Sequence, residues 1–285
     1  MHYLPEIAII NNLEFDHADI FQDLGQIQTS FRHFINLIPR AGLLVVNGDE
    51  REIAPLLQID HCPIVRFGMG EANDVRAIDQ QFSVGGSKFT IGETEFSIPM
   101  CGELNVRNAL ATVAVARHCG LNDDKIQNAF DTFEGIKRRM ETRGEVAGVI
   151  VVDDFAHHPT AIQETLKALR MKYPGRRLWA IFEPRSNTTR RAVFQKELAK
   201  AFGDADQVVI SSAAKLEQIP KSDRLDPLKL VDSIKASGVE GAYLRDVPAI
   251  VEHVRTHSQP GDVICFLSNG SFGGIHEQLL EALKA

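Results

Sequence analysis

Apolar and polar positions follow two different rhythms along this chain, and the change between them outlines its architecture. Short β-branched runs that stop at polar or glycine residues recur early on. They are Ile7-Ala8-Ile9-Ile10 before Asn11-Asn12, Leu43-Leu44-Val45-Val46 before Asn47-Gly48, and Pro63-Ile64-Val65-Arg66-Phe67 before Gly68. Runs of this length and composition read as buried parallel strands. Between the first two, Ile20, Leu24, Ile27, Phe31, Phe34 and Ile35 recur at helical spacing, which predicts an amphipathic helix. Strand, helix, strand is the rhythm of a parallel α/β layer. From 74 to 101 the apolar residues alternate singly between turn glycines, as in GGSKFTIGETEFSI, and predict antiparallel ribbon. Two helices are expected next, over about 105–119 and 123–131.

After Phe133-Glu134-Gly135 the strand–helix rhythm restarts. Strands are expected at 149–153, 178–182, 207–211, 242–244 and 262–267, and helices near 160–172, 190–202, 227–236, 247–257 and 275–284. That set is enough for a doubly wound domain in its own right. The basic hinge Lys137-Arg138-Arg139 places the boundary between residues 1–136 and 137–285. A chain of 285 residues is long for one core, which fits two domains.

Composition narrows the function classes. A net charge of −7 argues against a nucleic-acid or anionic-membrane surface as the main partner. Cys62, Cys101, Cys119 and Cys265 are widely spaced in apolar or helical contexts without a C-x-x-C pair, so buried reduced thiols are expected. With no bilayer-length apolar run and no signal-like start, the chain is expected to be cytoplasmic.

Several polar clusters sit where ligands gather in α/β sheets, just past strand ends. Asp153-Asp154-Phe155-Ala156-His157-His158-Pro159-Thr160 follows the run 149–152 and offers carboxylates for sugar hydroxyls beside two imidazoles. Glu14, Asp16, His17 and Asp19 lie past the first strand. A hard cation would find oxygen and imidazole donors there, while helix capping by Asp16 or Asp19 explains the same residues. Asn105 and Asn108 share a face at the first turn of a helix and suit a purine edge, unless Asn105 is only a cap. Lys137-Arg138-Arg139 could bind phosphate or be a solvated basic turn. Arg185, Ser186, Asn187 and Thr188, before a helix start, form an anion or carboxylate receptor that capping alone does not explain. The turn Ser268-Asn269-Gly270-Ser271-Phe272-Gly273-Gly274 could cradle an anion or simply join strand to helix.

The order of these tracts is more specific than any one of them. The succession N-x-E-x-D-H-x-D, G-x-x-N-x-x-N-A-L-A, G-x-x-R-R, D-D-x-A-H-H-P-T and F-x-P-R-S-N-T resembles the Mur ligase family of ATP-dependent amide-bond-forming enzymes. The resemblance spans residues 5–284. It implies part of the family's central ATPase domain followed by a complete Rossmann-like C-terminal domain. It also implies an acyl phosphate made from ATP and the lactyl carboxylate of UDP-N-acetylmuramate, then attack by a peptide amine. The tracts FEPRSNT and LSNGSFGGIHEQLL point to the branch whose acceptor is the murein tripeptide, in peptidoglycan recycling. The branch that takes L-alanine is expected to read F-x-P-H at the first of them.

On this resemblance His17 would ligate Mg²⁺, Asn105 and Asn108 would contact adenine, Arg139 the ATP phosphates and Asp154 the ribose. Arg185, Ser186, Asn187 and Thr188 would receive the peptide, and His157 would approach the reacting carboxyl. Leu104 stands where the family's helix-opening motif has a histidine. No G-x-x-G-K-[ST] phosphate loop occurs in the chain, so an N-terminal ligase portion that carries it is expected to be missing. A non-catalytic nucleotide- or peptide-binding module is the competing expectation. An NAD-type oxidoreductase is disfavoured because no G-x-G-x-x-G fingerprint is present. Given ATP, UDP-N-acetylmuramate and tripeptide, the purified chain is expected to release phosphate only at background rate. Phosphoryl transfer depends on positioning and charge neutralisation that the phosphate loop supplies. A coupled phosphate assay checks this, and substrate-dependent turnover would overturn it.

Overall fold

The computed structural model describes residues 3–213 and 216–284. The chain divides into two compact units, Met1–Glu134 and Gly135–Ala285. Among the described residues no helix is long and apolar enough to cross a membrane.

The first unit opens with β1 (Ile7–Ile10), α1 (Leu24–Ile35), β2 (Leu43–Asn47), β3 (Ile64–Gly68) and the short β4 (Val75–Arg76). The four strands form one parallel sheet in the order β1-β2-β3-β4. Side-chain alternation on β2 divides two cores between the sheet's faces. Leu44 and Val46 pack with Ile27 and Ile35 of α1. Leu43 and Val45 pack with Phe67 and with Val106, Leu110 and Val113 of α2 (Glu103–His118). Each such fully buried side chain contributes roughly 1.5–3 kcal/mol of transfer free energy. A separate antiparallel sheet, β5 (Ile78–Ser83), β6 (Gly86–Ile91) and β7 (Thr94–Ile98), supplies Phe89 and Phe96 to the second core. α3 (Asp123–Asp131) follows.

Local chemistry moved some expected boundaries. The first helix begins at Leu24 rather than Ile20, and its cap is neither Asp16 nor Asp19. Asp23 takes that place and accepts from the amide of Gln26 at 2.9 Å. The expected ribbon loses its first residues, because Val75 and Arg76 pair in parallel with β3 instead. Three of the cysteines are buried, but Cys119 is exposed at the C-terminal end of α2, and all four are free thiols.

The second unit runs β8 (Glu141–Val146), β9 (Val149–Asp154), α4 (Pro159–Lys172), β10 (Leu178–Phe182), α5 (Gln195–Ala201), β11 (Gln207–Ser211), α6 (Pro227–Ala236), β12 (Glu240–Leu244), α7 (Val247–His257), β13 (Val263–Leu267) and α8 (Ile275–Ala282). Its six-stranded sheet has the order β12-β11-β10-β13-β9-β8, parallel except for β8. α4, α5 and α6 pack in succession, while α7 and α8 cover Val151, Trp179, Ile181 and Phe266 on the other face. Helix connections therefore leave β10 and β13 towards opposite faces, which opens a crevice at their carboxyl ends.

Two differences from the sequence reading have physical causes. β8 carries the polar sequence ETRGEV on the sheet edge, so no apolar run announced it. The helix expected over 190–202 shrinks to Gln195–Ala201 behind a short 3₁₀ turn. Its first residues are held in extended pairing instead, with Arg191 bridged to Arg224 and Leu225 N–H donating to Arg190 O at 2.9 Å.

The second unit has helices on both faces of its sheet, whereas among the described residues β1 of the first pairs only with β2 and leaves Ile9 45% exposed. Limited trypsin digestion is expected to cut near Lys137-Arg138-Arg139 and leave a resistant C-terminal piece. Mass spectrometry checks this, and a longer-lived N-terminal piece would contradict it.

Candidate functional site

Strand register brings the site of the second unit together. Leu267 of β13 pairs with Asp154 of β9 on one side and with Phe182 of β10 on the other. Three strands thus end level, and beyond them Ser268 Oγ donates to Glu183 Oε2. Ser268 N–H donates to Asp154 O at 3.1 Å, and Glu183 N–H to Leu267 O at 3.1 Å.

Asp153 and Asp154 are both buried, and strand alternation sends them to opposite faces. Asp154 turns towards α4. Its Oδ1 accepts from Ala156 N–H at 2.7 Å and Thr165 Oγ1 at 3.3 Å, and its Oδ2 accepts from Met140 N–H at 2.7 Å. Burial pushes its carboxyl above the usual range, against those bonds and the nearby charge of Arg139. Asp153 turns towards α8. Its Oδ1 lies 3.4 Å from His276 Nε2, and its Oδ2 lies 3.5 Å from Arg138 Nε. Burial alone would raise the Asp153 carboxyl, but His276, Arg138 and Arg143 outweigh it and hold it below the usual range.

The basic hinge folds around these carboxylates. Arg138 and Met140 both adopt left-handed backbone, at φ 60° and 49°. Such residues cost on the order of 1 kcal/mol each and persist where neighbours over-determine them. Here Arg138 N–H donates to Glu141 Oε2, Arg138 O accepts from Phe155 N–H, and Met140 N–H reaches Asp154. The Arg138 guanidinium donates to the carbonyls of Ser268 and Gly270. Arg139 is exposed, and its guanidinium lies 5.5 Å from the centre of the Phe155 ring. His157 sits edge-on to that ring, with Nδ1 3.0 Å from Phe155 O.

The receptor loop after β10 is partly self-satisfied. Ser186 Oγ pairs with Thr189 Oγ1 at 2.8 Å and accepts from Thr189 N–H at 3.0 Å, while Asn187 Oδ1 accepts from Arg190. Thr188 is buried; Arg185 and Asn187 are exposed. Arg185 extends its guanidinium to within 3.5 Å of Glu183 Oε1.

In the first unit, Asn108 and the segment after β1 come together. Asn11 Nδ2 donates to Asn108 Oδ1 at 3.0 Å. Asn105 and Asn108 lie a turn apart on α2, but they do not present equal amides. Asn108 is exposed, whereas Asn105 is buried and donates to Cys101 O at 2.9 Å. Gly102, not Asn105, occupies the cap position. His17 adopts left-handed backbone at φ 54°, with Nε2 3.9 Å from Asp16 Oδ2 and its ring largely exposed. Among the described residues no three His, Cys, Asp or Glu side chains cluster as a complete metal cage. An imidazole beside one carboxylate still fits Mg²⁺, which usually takes one or two protein ligands and fills its shell with water and phosphate.

The family profile of the Mur ligase middle domain matches residues 2–116, and that of the Mur ligase glutamate ligase domain matches residues 138–270. The chain belongs to the Mur ligase family. It is 36% identical over 99% of its length to the Escherichia coli UDP-N-acetylmuramate–L-alanyl-γ-D-glutamyl-meso-2,6-diaminoheptandioate ligase, of which it covers 60%. It is 33% identical over 98% of its length to the UDP-N-acetylmuramate–L-alanine ligase of Desulfitobacterium hafniense, covering 63% of it. A crystal structure of a murein peptide ligase from Psychrobacter arcticus superposes with a TM-score of 0.70 at 34% identity, over 99% of this chain and 58% of that one. The chain thus spans about three fifths of the length of these relatives.

Within this Mur ligase chain, sequence reasoning missed Arg138, Glu183 and His276 as parts of one network with Asp153 and Ser268. Strand parity could have assigned Asp153 and Asp154 to opposite faces. Nothing local marks His276, which lies more than a hundred residues away and meets Asp153 only through the packing of α8.

Because the Asp153 carboxyl is depressed, its ionised form stabilises the fold above the unfolded carboxylate range near pH ~4. That stability is lost as pH falls through its lower folded value. Asp153→Asn is expected to cost about 3 kcal/mol near neutral pH, and its deficit against the native chain should shrink in acid. Asp154 is common to both proteins, so its opposite shift cancels. Melting curves from pH ~7 to pH ~3 check this, and a deficit independent of pH would sink it.

Proposed function

We propose that this chain is the adenine- and peptide-receiving portion of an ATP-dependent ligase that joins UDP-N-acetylmuramate to the murein tripeptide through an acyl phosphate. The observation that carries the reading is the arrangement past β9, β10 and β13. The Asp153–Arg138 pair, Arg139 over Phe155, and the Glu183–Arg185 pair stand at adjacent strand ends, where α/β sheets bind their ligands. The E. coli relative that bears this activity in its name supports the same choice.

In this reading Asn108, with Asn105 beneath it, meets the adenine edge. Asp154, expected from the sequence to accept from the ribose, is buried with its oxygens taken by Met140, Ala156 and Thr165, so its part is to hold the hinge and the loop before α4 in place. Arg139 is held over Phe155 and neutralises phosphate charge. His17, next to Asp16, would hold Mg²⁺, which supplies further charge neutralisation on the phosphates when bound. His157 approaches the carboxyl that becomes the acyl phosphate. The tripeptide enters at Arg185, Ser186, Asn187 and Thr188, its amine directed at the acyl carbon and a far carboxylate on the Arg185 guanidinium. The 285-residue sequence contains no phosphate loop, so in this reading the basic residue Arg139 is the phosphate-facing group that the chain itself supplies.

A second reading, with L-alanine as acceptor, draws on the similar identity to the D. hafniense enzyme. The exposed Arg185, standing where a histidine is expected in that branch, favours the longer acidic acceptor.

Arg185→Lys separates these readings. A lysine ammonium cannot reproduce a two-point guanidinium–carboxylate contact. Loss of one charge-assisted pair costs about 2 kcal/mol, so tripeptide affinity of the purified chain is expected to fall roughly thirty-fold. ADP affinity should stay unchanged. Calorimetric titration with tripeptide, L-alanine and ADP reads both effects. Equal losses for tripeptide and ADP would remove Arg185 from the peptide site, and tight L-alanine binding with none of tripeptide would favour the second reading.

A further inference from the structure

We infer that Glu183, braced by Ser268, is the positioning residue that fixes the Arg185 guanidinium before any ligand arrives, with the bare backbone of Gly270 leaving room for it. This rests on the reading of Arg185 as a carboxylate receptor and adds what sets its geometry. A long, exposed arginine on a loop would ordinarily sample many rotamers, and ordering it only on binding weakens affinity.

Two contacts restrain this one, and both trace back to the Ser268–Gly270 turn. Glu183 is nearly buried, and its Oε1 lies 3.5 Å from Arg185 Nη1. Its other oxygen accepts the hydroxyl of the fully buried Ser268, and that hydroxyl in turn accepts Gly270 N–H at 2.9 Å. The guanidinium end of Arg185, from Cδ to Cζ, also lies close against Gly270. A Cβ placed there would stand 2.3 Å from both Cδ and Nε of Arg185, and 2.6 Å from Cζ. Only glycine leaves that lane open. The turn itself cannot drift, because Arg138 donates to the carbonyls of both Ser268 and Gly270. One guanidinium fixes the turn, and the turn fixes the other.

Glu183 takes one edge of Arg185 and leaves the rest of the planar fork for a ligand. The arrangement suits a carboxylate that approaches in the guanidinium plane, as on an acidic peptide, and suits an uncharged acceptor poorly. It also has a cost that makes the idea testable. A carboxylate beside Arg185 competes electrostatically with an incoming anion, so if Glu183 only screened the arginine, removing it would tighten binding.

The test uses the 285-residue chain and the free tripeptide L-alanyl-γ-D-glutamyl-meso-diaminopimelate. The Arg185 Nε–Hε signal, identified by its loss in Arg185→Lys, reports side-chain order by ¹⁵N relaxation without any ligand. In Glu183→Ala that signal should move to the mobile range, and tripeptide affinity should drop roughly three- to ten-fold, the cost of ordering one rotamer-rich side chain on binding. Gly270→Ala should do the same by displacing Arg185. Glu183→Gln, which keeps the volume and an acceptor for Ser268, should retain more order than Glu183→Ala. An Arg185 signal that stays equally ordered in Glu183→Ala overturns the inference, and so does tighter tripeptide binding by that variant. Should the native chain bind no tripeptide while Arg185 order still depends on Glu183, the positioning stands and the proposed substrate falls.

Discussion

The second unit depends on two adjacent buried carboxylates that point in opposite directions. A strand must send Asp153 and Asp154 to different faces, and each then needs partners where water is absent. Asp154 finds backbone amides at Met140 and Ala156, which ties the hinge before β8 to the loop before α4. Asp153 finds Arg138 and His276, which ties the same hinge to α8. Three parts of the unit, the hinge, the loop before α4 and α8, are therefore registered on one strand end. The left-handed residues Arg138 and Met140 are tolerable because these bonds hold them.

Arg138 carries that registration across to the neighbouring strand ends. Its guanidinium has Asp153 on one side and the carbonyls of the Ser268–Gly270 turn on the other. The turn meets Glu183, and Glu183 meets Arg185. Charge alternates along this chain of contacts, from Asp153 to Arg138 and from Glu183 to Arg185, with the turn between them. The exposed groups at its margins, Arg139 and Arg185, are the ones free to meet anions, and each rests on a firm neighbour.

The first unit handles its polar groups differently. His17 and Asp16 sit on the surface past β1, and Asn11 links that segment to Asn108 at the start of α2. There the His17 ring is exposed and Asp16 is half-buried. The left-handed conformation of His17 sets the direction of the chain there, and its carbonyl accepts the amides of Ile20 and Phe21.

Much of this was legible in the sequence. Apolar runs of four or five residues marked where β2, β9, β10 and β13 would lie, because a strand covered on both faces must be apolar throughout. The order of the polar tracts was enough to identify the family, since each tract sits at a strand or helix end set by that framework. What the sequence could not supply was partnership. β8 is polar and belongs to the sheet only because β9 pairs with it. Asp23 rather than Asp16 or Asp19 caps α1, a choice made by where the helix packs on its sheet. Asn105 and Asn108 look equivalent by spacing, yet burial separates them. His276, Glu183 and Gly270 acquire meaning only when strands distant in sequence end level with one another. Spacing along a chain determines which residues share a face, but which faces meet is decided by packing between segments that the sequence keeps far apart.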